Sequence, residues 1–264
     1  MAAAPARCAD TSFMLGGKLP GGVPLHMANP LFYRNVVPLN RETHRKLRLR
    51  VLAKPLDYAR TSHLVPALVD EFTAAATELP IAFLPGAAAP APVFITGLKP
   101  GTNHFVTPAG AWDAGYMPAY LRRYPFIIGD VPDADPVLCI DDAFEGFGER
   151  EGKRLFSAAG APEPLVTEAL ALANQYRAAA TRTDTLAELL QRWELFRSVT
   201  LEVKLPAGGS TVIHGLLAVD ESALARLDDA RFLELRRAGF LRAIDAHLLS
   251  LALVSRLAAK TAAA

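Results

Sequence analysis

The chain has 264 residues, of which 51% are hydrophobic and 21% charged, an ordinary globular composition that excludes disordered and fibrous classes. Its 28 Lys and Arg against 27 Asp and Glu leave a net charge of +1, so the whole chain carries no basic footprint for nucleic acid. The two cysteines, Cys8 and Cys139, show no CxxC or Cys/His spacing, which excludes the common zinc and redox frameworks and fits a reducing, cytoplasmic compartment.

Residues 1–30 are rich in Gly and Pro and lack periodicity, and they read as a flexible N-terminal arm. Nothing in the arm is apolar enough for a signal-peptide core. No linker or repeat divides residues 31–264, so a single domain is expected there. YRNVVPL (33–39) has strand composition, and Asn40 then precedes the stretch RETHRKLRLR. Six of the ten residues from Arg41 to Arg50 are basic with His44 counted. Asn40 or Thr43 is placed to cap a short helix here, and a charge run of this kind reads as a solvated face.

Leu64, Leu68, Phe72, Ala75 and Leu79 fall on one helix stripe that Pro80 stops. The runs at 81–85, 92–98 and 103–107, with Pro100 and Gly101 as a turn between the last two, predict an antiparallel meander. Within AWDAGYMPAYLRRYPFII (111–128), Tyr116, Tyr120 and Tyr124 are four apart and predict one face of a short helix. Pro118 suits its first turn and Pro125 ends it. A strand follows at 136–141, then a Gly/Pro-rich loop holding a short RLF strand. Two helices are predicted at 165–180 and 183–196, and the segments 198–206 and 210–220 form a hairpin. Asp220 caps the next short helix. Phe232 to Lys260 predicts a long, centrally buried helix with Gly239 as its weak point. Its most apolar run, Leu248 to Leu257, is interrupted by Ser250, Ser255 and Arg256 and falls short of a membrane span. The fold class expected is α+β: an antiparallel β meander and hairpins packed with several helices, the last one long and buried.

YRNVVPLNRETHRKLRL, GAWDAGYMPAYLRRYPF, LCIDD, KRLF and GFLRAIDAHLLSL, in this order and spacing, resemble the SapC family of bacterial proteins. The resemblance runs from about Leu31 to Leu257. It implies an accessory or binding role linked to envelope uptake or surface systems, often encoded beside TonB-dependent receptors and halogenase-like flavoproteins. It implies no particular reaction.

Templates for chemistry are absent: no GxGxxG, no phosphate loop and no GxSxG elbow occur. The histidines at 26, 44, 63, 104, 214 and 247 never fall three to five apart, so no helix offers a two-His metal site. No metal, no cofactor and no catalytic residue is therefore expected. Asp130, Asp133, Asp135, Asp141 and Asp142 do not fit an EF-hand loop and read as surface turn acids. The expected binding surface is Trp112, Tyr116, Tyr120, Arg122, Arg123 and Tyr124, because aromatics and arginine concentrate at recognition sites. Its partner would be a protein, a peptide or a glycan, with homo-oligomerisation left open and nucleic acid and membrane insertion not expected. The alternative is an enzyme with a dispersed site, in which His104, His214 or His247 works with Asp141, acting beside halogenase-like or oxygenase-like partners. For His247 the plainer reading is a satisfied core residue bonded to a carbonyl.

Overall fold

A computed structural model describes residues 7–8, 30–130, 136–206 and 208–261. The expected arm over 1–30 lies, apart from 7–8 and Pro30, outside the described residues. The strands in chain order are β1 (Arg7–Cys8), β2 (Val36–Pro38), β3 (Arg48–Leu49), β4 (Leu64–Pro66), β5 (Ile81–Leu84) and β6 (Ala91–Ile95). They continue with β7 (Phe126–Asp130), β8 (Val137–Asp141), β9 (Phe147–Gly148), β10 (Lys153–Arg154), β11 (Phe196–Lys204) and β12 (Ser210–Val219). The α-helices are α1 (Phe72–Ala75), α2 (Ala119–Arg123), α3 (Pro164–Arg192), α4 (Glu221–Ala225), α5 (Asp229–Ala238), α6 (Leu241–Ser250) and α7 (Val254–Thr261). Every strand pairing among the described residues is antiparallel, and the class is α+β as expected.

The chain gathers into two compact units, each built from two stretches: residues 1–53 with 123–177, and 54–122 with 178–264. The first unit holds a sheet in the order β1-β7-β8-β2 and a small sheet in the order β10-β3-β9. Its core joins Phe126, Ile128, Leu138 and Ile140 of the larger sheet to Leu155, Phe156 and the start of α3 at Val166 and Ala173. Pro38 sits on β2, at the end of the sheet order, where a missing N–H costs no ladder bond. Residues 41–46 form turns rather than the expected helix. The Asn40 carboxamide oxygen accepts from the Glu42 and Thr43 amides, the capping bonds expected of Asn40, but the turns they start do not extend into a regular helix.

The second unit is built on a five-stranded sheet in the order β11-β12-β5-β6-β4. Its β11–β12 hairpin is the one expected from the sequence. The helix expected from Leu64 to Leu79 is corrected to a strand, a 3-10 turn at Val69–Glu71 and the short α1. Pro66 explains this, since the residue before a proline is driven extended and proline supplies no helical N–H. The strand expected at 103–107 is also corrected. Asn103 donates to Ala59 O and accepts from the Phe105 amide, both at 3.0 Å, and so folds that run into a turn. β4 takes its place beside β6.

The two helices expected at 165–180 and 183–196 are one, α3, of 29 residues. Thr183 and Thr185 bond back to the carbonyls of Ala179 and Thr181, so their hydroxyls serve the helix rather than break it. At the other end, Gly239 adopts φ 77°, the left-handed geometry that ends α5. The long C-terminal helix therefore starts at Leu241, runs through a 3-10 turn at Leu251–Leu253, and ends in α7. No single helix among the described residues is long and apolar enough to cross a membrane, although the pair Asp229–Ala238 and Leu241–Lys260, bent by 86°, passes by length and composition. Ile244, Val254 and Leu257 of that pair belong to the core of this unit.

Asp220 caps α4 as expected, its carboxylate accepting from the Ser222 and Ala223 amides at 2.9 and 3.2 Å. Asp220→Ala should cost about 1 kcal/mol, a drop of about 2–4 °C in a thermal melt. An unchanged midpoint would show that α4 is held by packing alone.

Candidate functional site

The segment 112–124 is not one tyrosine-faced helix. Only Ala119–Arg123 is helical, so Tyr116 precedes the helix and Tyr124 follows it. Trp112 stacks on Phe105 at 5.3 Å between centroids, and its indole N–H donates to Tyr116 O at 2.7 Å. The Tyr116 hydroxyl donates to Glu71 Oε1 at 2.8 Å. The same carboxylate accepts from the Ala119 amide at 2.6 Å and, through Oε2, from the Leu68 amide at 3.0 Å. Burial pushes the Glu71 carboxyl above its ordinary range, against the lowering effect of these bonds. Tyr116 is also pushed up, chiefly by burial and then by the Glu71 charge. Glu71 thus pins the start of α2, and no motif in the sequence announces it.

Exposure divides the six expected binding residues. Arg122 is exposed, Trp112 and Tyr116 are half-buried, and Tyr120, Arg123 and Tyr124 are buried. Half of the expected binding residues therefore fill the interior, and only Trp112, Tyr116 and Arg122 offer surface. The Arg123 guanidinium lies 3.8 Å from the Tyr176 ring centroid and 5.9 Å from that of Tyr33, a cation held against aromatic faces. Arg122 turns outward, with Nε donating to Met117 O at 3.0 Å.

Of the alternative polar residues, Asp141 and His247 are each bonded within their own unit. Asp141, with no exposed surface, accepts from the Arg34 and Asn35 amides at 3.1 and 2.8 Å and from the Tyr124 hydroxyl at 2.9 Å. Burial, then the bond to Asp141, pushes the Tyr124 hydroxyl up. Asp141 belongs to the first unit, whereas His104, His214 and His247 belong to the second. His247 is also fully buried. Its Nε2 accepts from the Val219 amide at 3.1 Å, so Nδ1 carries the proton and donates to Ile81 O at 2.9 Å. Desolvation pushes it down to about 4, which keeps it neutral at physiological pH. The plainer sequence reading of this histidine holds. His104 is half-buried, and burial followed by the Lys260 charge lowers it; His214 is exposed on β12.

Of the acidic group, Asp133 and Asp135 lie outside the described residues, Asp142 is exposed and Asp141 is interior. The surface-turn reading is therefore corrected for Asp141, whose carboxylate organises residues 34 and 35. Among the described residues no group of three or more His, Cys, Asp or Glu could hold a metal ion.

The SapC family model matches residues 39–257 of the chain. This chain belongs to the SapC family. The matched span covers β3 to the 3-10 turn before and the first residues of α7, so both compact units of the SapC chain fall largely within it. No curated protein and no solved structure matches it.

Proposed function

We propose that this SapC chain is an accessory binding protein that recognises a protein or peptide partner, not a catalyst. The observation that carries the reading is how the fold employs the polar residues that an enzyme would need. Both ring nitrogens of His247 are bonded to backbone, and Asp141 accepts three bonds from its own unit. These groups hold the structure together, and proton transfer through them would require breaking it. Recognition then falls to Arg122 with the outer parts of Trp112 and Tyr116. Arginine and the two aromatics are the residue types that dominate interface energetics, and here they are bonded into one rigid corner by Glu71 and Met117.

The partner reading is tested by crosslinking the tagged chain in its own cells and identifying the captured protein by mass spectrometry. Binding of that purified protein should weaken about tenfold in Arg122→Ala, the effect of losing a moderate interface hot spot. An Arg122→Ala chain that binds it with wild-type affinity would remove Arg122 from the interface and end this reading of the segment.

A further inference from the structure

The basic stretch 41–50 is more than a solvated face. In the small sheet of the first unit, Arg154 on β10 is the direct register partner of Arg48 on β3. Side chains at such positions stand roughly 5 Å apart on one face, and like charges there are destabilising unless an anion lies between them. Lys46 and Arg45 enter the same place from the preceding turn. Together the four cations, with Ser157, Ala158 and one carboxylate, Glu149, line a half-open cavity of about 380 Å³. A volume of that size lies in the range of small-molecule sites.

Two of the four cations are held in place by bonds to backbone carbonyls. Arg45 donates to Ala158 O, and Arg48 Nη1 donates to Gly152 O at 3.1 Å. Gly152 itself has φ +98°, and a Cβ there would meet Leu49 O at 2.3 Å. The turn that sets β10 against β3 therefore requires glycine. Arg45 and Arg48 each spend one arm on a neighbouring carbonyl, and further guanidinium donors remain to face the cavity. Three guanidinium forks around one volume suit a group that offers several oxygens in different directions, which is the geometry of phosphate.

We propose that this cavity binds a phosphate-bearing small molecule of up to nucleotide size, held by Arg45, Lys46, Arg48 and Arg154. The site is independent of the partner surface around Arg122 and stands or falls separately.

Isothermal titration with inorganic pyrophosphate at physiological salt tests it directly. Saturable binding of one pyrophosphate per chain, with a dissociation constant below about 1 mM, is expected. Arg154→Gln should weaken it by about tenfold or more, the cost of losing charge-assisted bonds. Lys46→Gln, a turn residue outside the sheet, supplies a second variant whose fold is not at stake, and it should weaken binding severalfold. Lys99→Gln removes an exposed charge from the second unit and should change nothing. Absent saturable binding, or an equal loss in Lys99→Gln, overturns the proposal. Citrate binding as tightly as pyrophosphate overturns the phosphate assignment. Vesicles of phosphatidylglycerol in phosphatidylcholine separate the two sources of phosphate. Vesicle binding that pyrophosphate fails to displace overturns the small-molecule site, and displacement by pyrophosphate supports it.

Discussion

His247→Leu should destabilise the chain by about 3–5 kcal/mol, the largest single effect expected here. The substitution strands two buried backbone groups, the Val219 N–H and the Ile81 carbonyl, and each such orphan costs about 1–3 kcal/mol. It also removes the edge-on contact of the imidazole with Phe83, 5.1 Å between centroids. Ser250 shares the task, its hydroxyl accepting from the Ile81 amide at 2.9 Å, so α6 satisfies both backbone groups of the first residue of β5. A urea titration would read the loss as a fall in midpoint at constant slope. A variant within about 0.5 kcal/mol of wild type would show that β5 and β12 find other partners.

The same residue gives stability a pH dependence with a definite sign. The folded value of about 4 lies below the ordinary 6.5, so the unfolded chain binds more protons between them and acid favours unfolding. The contribution is complete above about pH 6.5 and is lost as pH falls toward 4, amounting to about 2 kcal/mol between pH 7 and pH 5. Glu71, pushed up by burial, acts in the opposite sense, since the folded chain holds its proton more tightly. The difference between wild type and His247→Leu over this window isolates the histidine, and parallel pH profiles would contradict the assignment.

Arg123→Ala and Arg122→Ala should differ sharply although the residues are adjacent. Arg123 is 4% exposed and lies against Tyr176 and Tyr33. Losing a desolvated cation–π contact and the packing of its stem should cost about 2–4 kcal/mol. Arg122→Ala, at an exposed position, should stay within about 0.5 kcal/mol of wild type. Thermal melts of the two variants decide the matter. Equal destabilisation would mean that the corner is held by Arg122 as much as by Arg123.

Much of the backbone was legible because its signals are local. The hairpin of β11 and β12, the Asp220 cap and the strand Val137–Asp141 follow from composition and turn residues alone. The stripe from Leu64 to Leu79 misled for an instructive reason. Leu68, Phe72, Ala75 and Leu79 are all buried, so the periodicity reported burial correctly, while Pro66 had already removed its first turn from any helix. The site was harder to see. Arg122 and Arg123 are identical letters with opposite fates, and only the placement of Tyr176 and Tyr33 separates them. Arg48 and Arg154 are 106 positions apart in the chain, and their juxtaposition depends on strand pairing that no local pattern encodes.

The way each unit is assembled from two distant stretches also constrains the order in which the chain can mature on the ribosome. Residues 1–53 emerge first but find their companions only after 123–177 have been made, and 54–122 then await 178–264. The pairing of Val36 with Asp141 closes a loop of about a hundred residues, and such late, long-range contacts slow folding. At typical synthesis rates of about 5–20 residues per second, β2 emerges seconds before its neighbour β8. During that interval Val36 and Val37 of β2 lack the neighbouring strand that they pair with in the finished sheet.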